Sequence, residues 1–176
     1  MELMEAILTR RSVRQYINNK PINKDDILTI IKAGQYAPSA HNKQGWEFLV
    51  IEDKETLEKI RRLQRQASFA KDCGAVILLC ANTEIAFSRE KEGWSYEDID
   101  CAACAQNMLL AAHSLGLGAC WCGCSPMTHT IELTKQTFEL PTNIKPFAFI
   151  VLGHKEIEDK QSPQRFFENK IHWKKW

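Results

Sequence analysis

The chain has 176 residues, 44% hydrophobic and 26% charged, with 23 Lys+Arg against 22 Asp+Glu and a formal net charge of +1. That balance argues against a general polyanion binder, because nucleic-acid affinity rests on phosphate neutralisation and needs a basic excess. A mean hydropathy of −0.33 and the absence of low-complexity tracts argue against a membrane protein or a disordered chain. The length suits a single domain spanning residues 1–176.

Glu2 and Glu5 stand where an export signal needs a basic region, so the 7 Cys read as reduced thiols of a cytoplasmic protein. Leu3, Ala6 and Ile7 predict a short helix over residues 2–8, followed by a basic connection over 10–19. Asn23 offers an N-cap, Asp25 and Asp26 suit the first turn, and Ile27, Ile30, Ile31 and Gly34 recur at helical spacing until Pro38. Residues 39–45 read as a polar loop and 46–52 as a strand. An amphipathic helix over 54–69 buries Leu57, Ile60 and Leu63 and turns Lys59, Arg61, Arg62 and Arg65 to water. Residues 75–81 are continuously apolar, as in a strand covered on both faces.

Ser95 and Asp98 resemble a capping box opening the longest helix, which runs to Leu115 and stops at Gly116 and Gly118. Residues 101–131 contain no Asp, Glu, Lys or Arg, but Gln106, Asn107, His113 and Ser114 interrupt the stretch, making it a buried centre and not a membrane span. Residues 119–123 read as a short strand or turn, 130–140 as a helix and 147–152 as the last strand. The polar tail from Lys155 ends in Trp173 and Trp176, which have no local core to enter and are expected to reach a second subunit. Alternating helices and strands give an α/β or α+β class.

No phosphate-binding P-loop motif occurs, and Gly116-Leu117-Gly118 follows a helix and lacks the last glycine of a dinucleotide fingerprint. Cys101, Cys104, Cys120, Cys122 and Cys124 could together ligate a metal. However, Cys101, Cys104, Met108, Ala111 and Leu115 form one apolar helical stripe, in which Cys acts as a small hydrophobe, so no metal is expected. No nucleophile–His arrangement stands out. What remains is Arg10-Arg11-Ser12-Val13-Arg14, which suits a phosphate monoester bound by guanidinium forks or, equally, a solvated basic turn. Arg165 could add a charge to the same anion. The loop Ala37-Pro38-Ser39-Ala40-His41-Asn42-Lys43-Gln44-Gly45-Trp46 could read the edge of a heterocycle, or could be an ordinary connection anchored by Trp46.

Arg10-Arg11-Ser12-Val13-Arg14-Gln15-Tyr16 followed by Ala37-Pro38-Ser39-Ala40-His41-Asn42-Lys43-Gln44-Gly45-Trp46 resembles the flavin-dependent nitroreductase family in its short form. Leu115-Gly116-Leu117-Gly118, Leu140-Pro141, Val151-Leu152-Gly153 and Pro163-x-Arg165 agree with it. The resemblance implies an α+β fold, with a mixed, mostly antiparallel sheet wrapped by helices, and an intertwined homodimer whose residues 155–176 form an arm around the partner. It implies FMN at the subunit interface and NADH or NADPH as donor. Small nitroaromatic, quinone or similar acceptors are served by a ping-pong reaction, with no membrane or nucleic-acid partner. Arg10, Arg11, Ser12, Arg14 and Arg165 correspond to phosphate and ribityl contacts. Pro38, Ser39, Ala40 and Asn42 correspond to the loop that meets the isoalloxazine from the other subunit. Gln66 corresponds to an amide on the pyrimidine edge, and Cys122 and Gly123 to the backbone beside N5. The flavin carries the chemistry, so no catalytic side chain is expected. Three departures stand out: Gly45 in place of a proline, the thiol-rich Trp121-Cys122-Gly123-Cys124, and the missing insertion that shapes the pocket in longer members. The alternatives are a flavin put to another use (dehalogenation, dehydrogenation, flavin destruction) and a thiol-metal or flavin-storage module.

Overall fold

Asn23 does cap a helix: its side chain accepts the Asp25 N–H at 3.0 Å. The computed structural model describes residues 1–157 and 165–176. In chain order the elements are α1 (Leu3–Thr9), α2 (Lys24–Gln35), β1 (Trp46–Ile51), α3 (Lys54–Leu63), β2 (Ala75–Asn82), β3 (Ser88–Arg89), β4 (Trp94–Ser95), α4 (Glu97–Ser114), β5 (Leu117–Gly123), α5 (Thr128–Thr137) and β6 (Ile144–His154). Strands β1, β2, β6 and β5 form one sheet in that order, each neighbour antiparallel. One isolated parallel bridge joins Ser12, which belongs to no strand, to Ala119 of β5.

Alternation along β2 sorts the interior into two cores. Ile77, Leu79 and Ala81 join Ile30, Cys104, Met108 and Trp46 on the face covered by α2 and α4. Val76, Leu78 and Cys80 join Leu57, Ile60, Phe149 and Tyr16 on the other face, with α3 and α5. Cys101 and Cys104 belong to the first core and Cys120, Cys122 and Cys124 to the second, so the five thiols do not converge on one point.

Several boundaries differ from those the sequence predicts. Helix α3 ends at Leu63 because Gln64 turns to extended backbone, and the chain continues as a 3-10 segment, Arg65–Asp72. The Lys59 and Arg61 face is solvated, with pairs to Glu55 at 3.0 Å and Glu58 at 2.6 Å. Strands β5 and β6 are longer than expected, and the β3–β4 hairpin is additional. The apolar stripe of α4 drifts, burying Ala112 and His113 and leaving Leu115 exposed. Gly116, at φ +78, ends α4, whereas Gly118 lies inside β5.

The expected capping box does not form. Ser95 Oγ accepts the Glu97 N–H at 3.2 Å, and Asp98 is drawn away to Lys145, at 3.0 Å, and to the Ser125 hydroxyl. Lys145 also meets Glu97 at 2.7 Å, tying the start of β6 to the start of α4. Burial pulls the Lys145 ammonium down, but its hydrogen bonds to the Glu97 and Asp98 carboxylates outweigh it and raise its pKa above 10.5. Lys145→Met is expected to cost about 2 kcal/mol, because two neighbouring carboxylates lose their cation. A raised folded-state pKa stabilises fully below 10.5 and progressively less as pH passes the folded value. The gap in thermal stability between wild type and variant should therefore hold at neutral pH and close in strong alkali.

Candidate functional site

Residues 10–16 are a strap laid across the β5–β6 edge of the sheet. The Val13 N–H donates to the Ala119 carbonyl at 3.0 Å, and beyond Tyr16 the Ile17 N–H donates to His154 at 2.9 Å. Two glycines make the close approach possible. Gly118 and Gly153 are register partners, and a Cβ on them would come within 2.7 Å of Val13 Cγ1 and 2.5 Å of Tyr16 Cδ1 respectively. Tyr16 is buried in this notch with its hydroxyl donating to Val13 O at 2.7 Å, and burial raises its phenol pKa.

The strap presents Arg10, Arg11, Ser12 and Arg14 along β5. Arg10 is half-buried, and its pKa is lowered by burial first and then by the positive charges of Arg11 and Arg165. Arg165, 155 positions away in sequence, is therefore part of the same cluster. Arg11 closes the C-terminus of α1, donating to Arg10 O at 2.5 Å and Leu8 O at 3.3 Å, while its buried Nε has no hydrogen-bond partner among the described residues. Among the described residues no carboxylate pairs with any of these four arginines.

Beneath the strap lie the residues of β5. Cys122 Sγ donates to Gln66 O at 3.8 Å, and Gln64 Nε2 donates to the Gly123 carbonyl at 2.5 Å. The 3-10 segment thus brings Gln66 beside Cys122, with the Gln66 side chain exposed. Gln64, a buried polar residue, is not marked by any motif in the sequence. Its position just after the last apolar residue of α3 was the available signal.

The second group precedes β1. Ser39 Oγ accepts the Gln44 N–H at 2.9 Å, and Asn42 Oδ1 accepts from Gln44 Nε2 at 2.8 Å. His41, Asn42 and Gln44 all have positive φ, so the loop after Pro38 is tightly wound. The Ala40 N–H donates at 3.0 Å to Asp100, buried in the first turn of α4, and Trp46 anchors the loop in the core. His41 stacks on Phe87 at 4.0 Å between centroids. With Trp94 and Tyr96 these rings line a cavity of about 490 Å³ that also touches Ala40 and Arg89. This aromatic wall comes from the β3–β4 hairpin, whose two-residue strands carry no readable alternation.

The cations on one side and a loop of oriented polar groups on the other fit a phosphate-bearing heterocycle: among the described residues Arg10, Arg11 and Arg165 pair with no carboxylate, and Arg11 Nε finds no acceptor. Comparison with known proteins agrees in kind. Residues 7–154 match the model of the nitroreductase family. A protein of Methanothermobacter thermautotrophicus named "Putative NADH dehydrogenase/NAD(P)H nitroreductase" is 35% identical, over 100% of this chain and 88% of its own. The crystal structure of a like-named protein of Bacteroides thetaiotaomicron superimposes with a TM-score of 0.89 at 33% identity, covering 98% of this chain and 97% of that one. An NAD(P)H FMN reductase of Bacillus subtilis is 27% identical over 93% of this chain and 70% of its own.

Proposed function

The chain belongs to the nitroreductase family, and from that premise we propose that it is a cytoplasmic homodimer reducing nitroaromatic, quinone or similar small acceptors in a ping-pong reaction. It is an NAD(P)H-dependent oxidoreductase with FMN as its cofactor. The observation that carries the reading is the cluster Arg10, Arg11, Arg14 and Arg165, which has no carboxylate partner among the described residues. Bound FMN supplies hydride acceptance from the nicotinamide and electron delivery to the acceptor.

Each group in the chain then has a task. Arg10, Arg11 and Arg165 bind the phosphate, and Ser12 and Arg14 bind the ribityl side. The Gln66 amide would hold the pyrimidine edge, and the Cys122–Gly123 backbone, whose Gly123 carbonyl is oriented by Gln64, would meet the ring near N5. Pro38, Ser39, Ala40 and Asn42 meet the ring.

Strand order supports the dimer. The Ser39 loop leads into β1 and the arginine strap lies on β5, at opposite edges of a four-stranded sheet. Three inter-strand spacings of about 4.8 Å separate those edges, which favours a site that draws one group from each of two copies. Exposed Leu3, Met4 and Leu8 on α1, and Trp173 and Trp176 in the tail, supply apolar surface for such a partner. The arm expected over residues 155–176 lies partly outside the described residues, at 158–164. Among the described residues no helix is long and apolar enough to cross a membrane.

The test is an absorbance spectrum of the purified protein followed by anaerobic NADH or NADPH. Flavin bands that bleach, and parallel double-reciprocal lines when the acceptor is varied, are the expected results. A colourless protein that takes up no added FMN overturns the cofactor assignment, and bands that neither nicotinamide bleaches overturn the donor. Sedimentation at a single-chain mass overturns the dimer.

A further inference from the structure

Where α3 gives way to the 3-10 segment, one residue holds three parts of the chain. The Gln64 N–H donates to the Ile60 carbonyl at 3.0 Å, closing the helix, and the Gln64 carbonyl accepts the Ala67 N–H at 2.8 Å, opening the segment. The side chain makes two further bonds. Its Oε1 accepts the Gln66 N–H at 3.4 Å, and its Nε2 donates to the Gly123 carbonyl at 2.5 Å, reaching the end of β5. Gln64 is 5% exposed, so this amide has left water for those two partners. Packing alone would be served by a leucine, which has no polar group to satisfy.

The bond to Gly123 completes a peptide held from both sides. The Cys124 N–H of that peptide donates to the Phe147 carbonyl of β6 at 2.8 Å, and its carbonyl oxygen takes Gln64. Without Gln64 only the β6 side remains. A second tie runs nearby, from Cys122 Sγ to the Gln66 carbonyl at 3.8 Å, but a thiol is a weak donor. Ala67 and Ala70, with no exposed surface, seat the 3-10 segment on the second core. The segment and the strand are thus each held by their own packing, and Gln64 is the strongest link between them.

We propose that Gln64 is a positioning residue for the flavin. Its amide sets the spacing between Gln66 and the Cys122–Gly123 backbone, the two segments assigned to the ring. The inference rests on the functional reading above and adds to it a residue that does not itself touch the cofactor. An error in that spacing falls on the ring contacts and leaves the phosphate cluster of Arg10, Arg11 and Arg165 in place.

The experiment compares Gln64→Asn and Gln64→Met with wild type. Asparagine keeps an oxygen that can accept the N–H two residues on, as Asn23 does from Asp25 at 3.0 Å, but it is a methylene too short for Gly123. Methionine matches glutamine in length and removes both bonds. Hydrogen exchange on the FMN-free proteins reads the clamp itself: protection of the Gln66 N–H should persist in Gln64→Asn and be lost in Gln64→Met. FMN affinity, by fluorescence titration, should fall about 10-fold in both, the size of one well-made hydrogen bond. The visible bands and the two-electron potential of the bound flavin should move from their wild-type values in both variants. Affinity, bands and potential all unchanged in Gln64→Asn overturn the proposal. So does a loss of affinity confined to Gln64→Met and matched by a lower melting temperature, which makes Gln64 a prop for α3. A wild-type protein that takes up no FMN overturns the functional reading instead, and this assignment falls with it.

Discussion

Arg10→Ala is expected to lower FMN affinity about 10- to 100-fold while leaving the FMN-free protein slightly more stable. The two effects have one origin. Arg10 is half-buried beside Arg11 and Arg165, and both burial and those like charges disfavour its ionised form in the fold. Removing it relieves repulsion worth about 0.5 kcal/mol after solvent screening, a rise of roughly 1–2 °C in a chain of this size. A bound phosphate reverses the sign, because each charge-assisted guanidinium–phosphate contact contributes about 1.5–3 kcal/mol, and a tenfold change in affinity is 1.4 kcal/mol. Arg10→Lys should fall between the two, keeping the charge and losing the fork. Flavin fluorescence titration gives the affinity. Melting must be compared on FMN-free protein, since bound ligand raises the melting temperature of whichever protein binds it better. A variant that is destabilised and binds FMN as wild type does would show that Arg10 serves the fold and not the phosphate.

Opposed requirements of this kind explain why the arginine cluster was legible in the sequence. Three guanidiniums in five residues with no acid among them are visible without coordinates, and so was α2, because its cap and its Ile27–Ile30–Gly34 spacing are both local. What escaped depends on partners far along the chain. Helix α3 ends at Leu63 where Gln64 finds the Gly123 carbonyl, 59 residues away. The capping box fails because Lys145, 47 positions beyond Asp98, outbids the helix N-terminus for that carboxylate. The hairpin that supplies Phe87, Trp94 and Tyr96 has strands of two residues each, too short to carry a period.

Gly153→Val is expected to disable the site from beneath without touching a binding group. Gly153 faces Gly118 across the β5–β6 ladder, and together they make the notch in which Tyr16 and Val13 sit. A Cβ on Gly153 would meet three Tyr16 carbons at 2.5, 2.8 and 3.1 Å, below ordinary contact distance. The Tyr16 ring has little room to retreat, because its hydroxyl is bound to Val13 O at 2.7 Å and it lies 6.2 Å from Phe69 between centroids. The backbone must therefore give, and overpacking of this kind costs about 2–3 kcal/mol, or about 5–10 °C in melting temperature. The give falls on the strap, whose Val13–Ala119 and Ile17–His154 hydrogen bonds hold Arg10 through Arg14 in place. FMN affinity should fall along with stability. Adding Tyr16→Ala to Gly153→Val should recover part of the stability, because the clash goes, but not the affinity, because the strap has lost its anchor. Near-additive stability changes in that double mutant, measured by thermal melts of all four proteins, would show that Gly153 and Tyr16 do not act on each other.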